Sequence, residues 1–320
     1  YLCHVFCNKG VRGYSSKRPA NPKGTITSEI LGTLCEIFCK EVNNMLSIQE
    51  LECYEEQGVP LKVLKHLYML HNMINVGPKE VLYRIFSYKR LLQSIKDKSL
   101  TLVKPHKWKD PFENFFLKSK GVLSDGSKVS FESIRESFYG QCWTTRKECE
   151  GLWKVHSSDC TGVKVKTNVF KLFKYLYDMG NPYHTLSYFV GKVRYLSDKQ
   201  IKEYCSKDIN EVLTSDCKGT VKTLLIKRLA FDYEQEVRLI FRVPNNEEED
   251  YNNVKNNWNK KEDIFKFKIN PNDLFDEITF NPRIDDNEFK KLSKELRNNG
   301  YNGKIIKSDL FDDPNFVIQL

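Results

Sequence analysis

The stretch FDYEQEVRLIF, residues 231–241, decides how the chain is read. Written as a strand, its side chains alternate between two faces. Tyr233, Val237, Leu239 and Phe241 form an apolar side interrupted by Gln235. Glu234, Glu236 and Arg238 form the other, two carboxylates and a guanidinium in a row. That polar row is either a solvated face or the lining of a site.

Composition narrows the classes. The chain has 320 residues, 40% hydrophobic, 12% aromatic and 29% charged, an ordinary globular balance able to bury a large core. No stretch approaches the roughly 18 consecutive apolar residues of a membrane-spanning helix. The opening YLCHVFCNKG is too short and too polar for a signal peptide. It lacks Met, so the true N-terminus is expected further upstream, and a cytoplasmic location is expected. The ten cysteines form no C-x-x-C pair, which argues for reduced thiols without disulfides and against a metal site. The net charge of +9 gives a weak attraction to polyanions, but lysines alternate with Glu and Asp rather than forming a basic block.

Residues 1–25 carry Gly, Pro, Ser and basic residues without periodicity, as a tail does. Apolar residues at three- and four-residue spacing (Ile30, Leu31, Leu34, Ile37, Phe38; then Val63, Leu64, Leu67, Leu70, Ile74) predict helices over about 27–75. NVGPKE at 75–80 marks a boundary, so residues 1–76 are expected as a tail with a helical appendage and 77–320 as an α+β catalytic domain.

In that second part, strands are expected at 81–86, 100–103, 137–145, 162–166, 186–196, 233–243, IFKFKI and EITF, with helices through YKRLLQSIK, 168–179, 219–229 and 285–299. GKIIKS is expected to close the chain, and 245–263 to be an exposed hairpin loop. The absence of a regular βαβ rhythm predicts mixed sheets, with strand groups 81–166 and 186–308 packed around a cleft. Neither G-x-G-x-x-G after a strand nor G-x-x-x-x-G-K-S occurs, which removes the common dinucleotide and P-loop folds.

Three polar insertions stand out. Arg84 follows Tyr83 in the apolar LYRIFS, and burying it is costly unless an anion pairs with it. Thr144 and Thr145 follow Trp143 at a strand end. The third is the Glu234–Glu236–Arg238 row. Each has a bland explanation: a solvated strand face, β-branched strand preference, a cross-strand ion ladder.

In this order, an early-strand Arg, a hydroxyl-rich strand end and a late Glu-x-Glu, they resemble the mono-ADP-ribosyltransferase pattern. The resemblance implies a cleft between two small sheets that grips NAD. It implies that Arg84 holds a phosphate or ribose, that Thr144 and Thr145 brace the cleft, and that Trp143 or Tyr139 stacks on nicotinamide. Glu236 then stabilises an oxocarbenium-like transition state and Glu234 steers the acceptor, a protein or nucleic acid. The chain has Thr-Thr where that family has Ser-Thr-Ser.

A longer set of motifs is similar to the bacterial domain-of-unknown-function family 2971 over about residues 80–315. It comprises LYRIFSYKRLLQSIKDKSLTLVKPHKWKDPFE (82–113), QCWTTRKECEGLWKVHSSDCTGVKV (141–165), VRYLS (193–197), KRLAFDYEQEVRLIF (227–241) and IKSDLFDDP. Lys109 replaces that family's Asn, and His156 stands where it has Tyr. The resemblance implies a bacterial cytoplasmic protein, sometimes near toxin or phage-defence genes.

Asp110, before Pro111, can cap local backbone N–H groups or reach over the cleft with Glu113. Trp153 and His156 precede a strand, and His156 can be a structural residue or an acid–base group. The leading expectation is an NAD-using ADP-ribosyltransferase-like enzyme or NAD glycohydrolase. The alternatives are a non-enzymatic nucleotide- or nucleic-acid-binding module, and a nuclease holding Mg²⁺ on Asp110, Glu113, Glu234 and Glu236.

Overall fold

The computed structural model describes residues 47–320 except 109, 111, 123–124, 207–208, 244–261, 315, 317 and 320. The tail, the helical pattern at 27–46 and most of the loop expected at 245–263 lie outside the described residues.

Two helices, Ile48–Glu56 and Leu61–His71, begin the described chain. The first starts at a capping box in which the Ser47 and Glu50 side chains and backbones satisfy each other's N–H groups. Leu51, Leu64, Leu67 and Met69 pack into the same core as the sheet. Fourteen strands follow among the described residues: β1 Met73–Ile74, β2 Val81–Ser87, β3 Ser99–Val103, β4 Lys120–Val122, β5 Lys128–Ser130, β6 Phe138–Thr144 and β7 Gly162–Asn168, then β8 Tyr188–Lys192, β9 Arg194–Leu196, β10 Ile226–Arg228, β11 Glu236–Arg242, β12 Ile264–Lys268, β13 Glu277–Phe280 and β14 Lys304–Lys307. Mixed α+β architecture, expected from the sequence, is what the chain adopts.

Ten strands form one mixed sheet, ordered β1-β8-β11-β6-β2-β7-β13-β14, with β3 branching from β6 and carrying β12. The branch divides the sheet into two wings. β6 pairs with β11 along seven residues, from Glu236↔Thr144 to Arg242↔Phe138. It meets β2 at one pair, Tyr83↔Thr144, and β3 at another, Val103↔Gly140. β2 itself pairs along its whole length with β7. The wings therefore part at the end of β6 where Thr144 lies. The strand groups 81–166 and 186–308, expected to pack around a cleft, interleave in one sheet, β11 lying between β6 and β8, and β13 beside β7. Long-range pairing is set by which faces can be buried together, which strand spacing along the chain does not report.

Val237, Leu239 and Phe241 of β11 join Tyr139, Trp143, Tyr188 and Val190 in the main core. Ile240 and Phe189 point to the opposite face, into a second cluster with Phe138, Leu224 and Leu225. Each large apolar side chain buried this way contributes on the order of 1.5–3 kcal/mol.

Three local expectations are corrected. Residues 186–196 do not form one strand: β8 stays in the large sheet, and β9 leaves it to pair in parallel with β10. The helix expected over 219–229 ends at Thr223, and 226–228 is strand β10. Residues 231–235 are not strand either. A 3₁₀ turn spans Leu229–Glu234, Gln235 adopts a left-handed φ of 43°, and the strand starts at Glu236.

Candidate active site

The cleft opens where the wings part. It encloses about 130 Å³ and is lined by Tyr83, Arg84 and Ile85 of β2, Cys142, Trp143 and Thr144 of β6, Leu152 and His156, and Glu234 and Glu236. Of the expected site residues beside the two glutamates, Tyr83, Arg84, Trp143, Thr144 and His156 share this space, and Thr145 lines an adjoining open hollow. A cavity of roughly 150 Å³ accepts a benzene-sized ring. The enclosed part is thus fragment-sized, below the roughly 300–1,000 Å³ of a pocket enclosing a whole ligand.

Glu234 and Glu236 reach the cleft from different structures. Glu236 is the first residue of β11, and Glu234 ends the 3₁₀ turn before it. The left-handed Gln235 between them joins turn to strand, and both carboxylates meet at the Lys227 ammonium. The hydroxyls of the Thr pair hold that turn. Thr144 Oγ1 donates to Glu234 O at 2.5 Å and accepts from Arg146 N at 3.0 Å. Thr145 N donates to Gln235 O at 3.1 Å, and its hydroxyl reaches the same oxygen at 3.4 Å.

Beneath the glutamates lies a largely buried ion network. Lys227 Nζ donates to Glu234 Oε2 at 2.5 Å and Glu236 Oε1 at 3.0 Å, and lies 3.3 Å from Glu113 Oε1. Arg238, fully buried, donates to Glu236 Oε2 at 2.8 Å from Nε, to Glu113 Oε1 at 2.6 Å and to Leu224 O at 2.7 Å. Trp108 stacks on its guanidinium at 4.5 Å. The Glu236 backbone N donates to the Tyr195 hydroxyl at 2.8 Å. Each buried charge has an opposite partner, as burial requires.

The network drives the two carboxylates apart in acidity. Burial, then the neighbouring Glu236, pushes Glu234 up to about 7. Burial also pushes Glu236 upward, but Arg238, a hydrogen bond from Glu234 and Lys227 outweigh it and hold Glu236 well below the usual carboxylate range. Two carboxyls in contact with one proton between them behave in this way.

Arg84 differs from these paired charges. Its Nη1 is buried with no hydrogen-bond partner, and its guanidinium lies 4.9 Å over the Phe86 ring. Burial pulls its pKa down to about 10, which leaves it protonated at neutral pH. Trp143, fixed by its indole N–H donating to Gln141 Oε1 at 2.7 Å, and Tyr83 supply aromatic walls.

Other expected site residues sit elsewhere. Tyr139 is fully buried away from the cleft lining, with its hydroxyl donating to Glu262 O and its ring against Phe241, so it does not stack on a cleft ligand. Trp153 is buried, donating to Glu148 with Lys164 over its ring, and does not line the cleft. Asp110 caps Phe112 N and pairs with Arg228 at 2.8 Å. Glu113 and Arg238 stand behind the glutamates. Of the four carboxylates considered for Mg²⁺, Glu113, Glu234 and Glu236 converge, but on the Lys227 ammonium, while Asp110 binds a different cation.

Lys227 and Tyr195 escaped sequence reading. Reading 219–229 as one helix hid the β9–β10 pair, in which Tyr195 stands opposite Lys227. An apolar run broken by the basic pair Lys227–Arg228, LLIKRLA, is the signal that could have marked it.

No family model matches the chain, and no curated protein matches it. Among solved structures it is similar to Thermus sp. 2.9 DarT in complex with NAD+, at 12% identity over 73% of this chain and 97% of that one, with a TM-score of 0.33. The same protein in complex with ADP-ribosylated ssDNA gives 10% identity, 73% and 96% coverage and a TM-score of 0.34. With carba-NAD+ the values are 10%, 72%, 96% and 0.32. The likeness is distant, and the chemistry of the cleft is read from its own residues.

Proposed function

We propose that the chain is an NAD-using ADP-ribosyltransferase-like enzyme or NAD glycohydrolase. The observation that carries this reading is the buried, unpartnered Arg84 Nη1 in the cleft that also receives Glu234 and Glu236. A guanidinium with a buried, unsatisfied N–H is costly, and an anionic or hydroxyl-rich substrate group at the cleft would offset that cost. The enclosed space suits the nicotinamide ring between Tyr83 and Trp143, with the rest of the dinucleotide outside.

In this mechanism the C–N bond between nicotinamide and ribose breaks, and its electron pair leaves with the nicotinamide, which becomes neutral. Positive charge develops on the ribose beside Glu236, whose carboxylate stays ionised and fixed by Arg238 and Lys227. Glu234, titrating near neutrality, is suited to take the proton from the attacking hydroxyl, of water or of an acceptor. The Thr144 and Thr145 hydrogen bonds keep Glu234 in reach.

Membership of family 2971, a toxin or phage-defence role and a cytoplasmic setting are finer proposals resting on the motif resemblance. Among the described residues no helix is long and apolar enough to cross a membrane. The nuclease reading is weakened because Lys227 stands where its carboxylates would hold a cation.

The experiment is nicotinamide release from NAD by wild type and Glu236→Gln, with and without cell lysate. Release that falls at least about 100-fold in the folded variant supports the reading, a size typical of a lost transition-state charge contact. Dependence on lysate identifies a transferase. No release under any condition overturns it and favours the binding module, whose hallmark is nucleic-acid affinity that falls steeply with salt.

A further inference from the structure

We propose that Lys227 is the positioning residue of the cleft: it gathers Glu113, Glu234 and Glu236 on one ammonium and thereby keeps Glu234 available as a base. The proposal rests on the reading of this cleft as an NAD site for its kinetic readout alone. Its structural basis is separate. Three carboxylates from three parts of the chain lie within 3.3 Å of one Nζ: Glu113 from the loop after β3, Glu234 from the 3₁₀ turn and Glu236 from β11. The Lys227 side chain is only 7% exposed, so solvent screens these contacts little.

The ammonium does not act alone on the pair. On β11, Arg238 holds the other oxygen of Glu236 and also Glu113. From β6, Cys142 faces Glu236 and Arg238, its thiol raised to about 12 by burial. From β2, Arg84 adds positive charge, and His156 stands at the rim. Tyr195 on β9 and Tyr233 in the turn are held above the ordinary phenol range by burial and the nearby glutamates, so neither is an anion here. With Glu236 held ionised by Arg238 and Lys227, Glu234 is the member of the pair that titrates near neutrality.

The geometry gives Lys227 unequal grips. Glu236 has both oxygens bound, one to Lys227 and one to Arg238. Glu234 has Lys227 as its cationic partner and Glu236 as its carboxyl neighbour. Removing the ammonium therefore costs Glu236 part of its support and costs Glu234 the cation that its ion pair supplies. Both carboxyls should take up protons at higher pH, Glu234 the more so because Arg238 still holds Glu236. The strand pairing that carries Lys227 also fixes its height, because Tyr195 stands opposite it and accepts from Glu236 N.

The test compares wild type, Lys227→Met and Lys227→Arg by two readouts. One is the carboxyl titration of the substrate-free protein, followed by NMR with labelled glutamate. The other is the pH profile of nicotinamide release. In Lys227→Met the Glu234 titration is expected to move up by about one pH unit or more, with the alkaline-going limb of the release profile following it. Lys227→Arg is expected to restore most of the shift. A folded Met variant whose glutamates titrate as in wild type overturns the proposal. If the titration shifts as expected while wild type releases no nicotinamide, the Lys227 assignment stands and the NAD reading falls. Should the Met variant not fold, Glu113→Gln makes the test in the opposite sense: relieved of one carboxylate, Lys227 attracts Glu234 more strongly and its titration moves down. No movement there overturns the proposal equally.

Discussion

Tyr83 of β2 and Thr144 of β6 form the single ladder pair between their strands among the described residues. Everything at the cleft follows from that contact. On one side β2 runs off with β7, on the other β6 continues with β11, and the parting exposes Arg84 to the two glutamates. Thr144 is bound twice over, since its hydroxyl also holds the turn that carries Glu234.

Replacing that hydroxyl tests the hinge. Thr144→Val keeps the β-branched shape but removes the donor to Glu234 O and the acceptor for Arg146 N. The expected cost is about 1–2 kcal/mol of stability. Nicotinamide release is expected to fall about 10-fold or more, because a displaced base loses alignment. Urea unfolding beside a release assay checks both; an unchanged rate would show that the turn holds itself.

Arg84 should behave oppositely in the two assays. Its Nη1 makes no hydrogen bond, so Arg84→Met removes a buried, unsatisfied N–H and sacrifices the contact with the Phe86 ring and the attraction of Glu236. Thermal stability is expected to stay level or rise, as at sites where function opposes stability. Release is expected to drop about 100-fold or more. A variant that loses stability and keeps activity would make Arg84 a structural residue.

The acidity of Glu234 gives a stability signature independent of activity. Its folded-state pKa is raised from 4.5 to about 7, so the folded protein binds that proton more tightly than the unfolded chain. This contribution is fully present below about pH 4.5 and is lost as pH rises through 7, by on the order of 1–3 kcal/mol. Glu236 has the opposite sign: depressed in the folded state, it stabilises above the unfolded carboxylate range and ceases to do so only in strong acid. Glu234→Gln is therefore expected to flatten the decline between pH 5 and 8 in denaturant titrations. An identical slope in the variant would refute the assignment of the shift to Glu234.

Gly140 tests the wall behind the network. A Cβ there would come within 2.6 Å of Trp108 Cζ2, and Trp108 is the ring stacked on Arg238. Gly140→Ala is expected to displace the indole and destabilise the protein by about 1–3 kcal/mol, with altered Trp fluorescence. A folded variant of unchanged stability would mean the indole moves aside freely.

The sequence by itself determined most of the strand inventory: VLYRIF, LTLV, SFYGQCWTT, GVKVK, IFKFKI and EITF are strands where period and β-branched content predicted them. It also singled out Arg84, the Thr pair and the two glutamates, because charged or hydroxyl groups in apolar strands have a cost that is visible in one dimension. It did not reveal the parting of β6 from β2, the β9–β10 pair or Lys227 under the glutamates. These depend on partners far apart in the chain, such as Glu113 with Arg238 and Tyr195 with Lys227. Local periodicity reports which face a residue takes, but not that the strand begins only after the left-handed Gln235. Which charges meet, and which buried N–H is left without a hydrogen bond, was decided only when the strands were paired and their faces buried together.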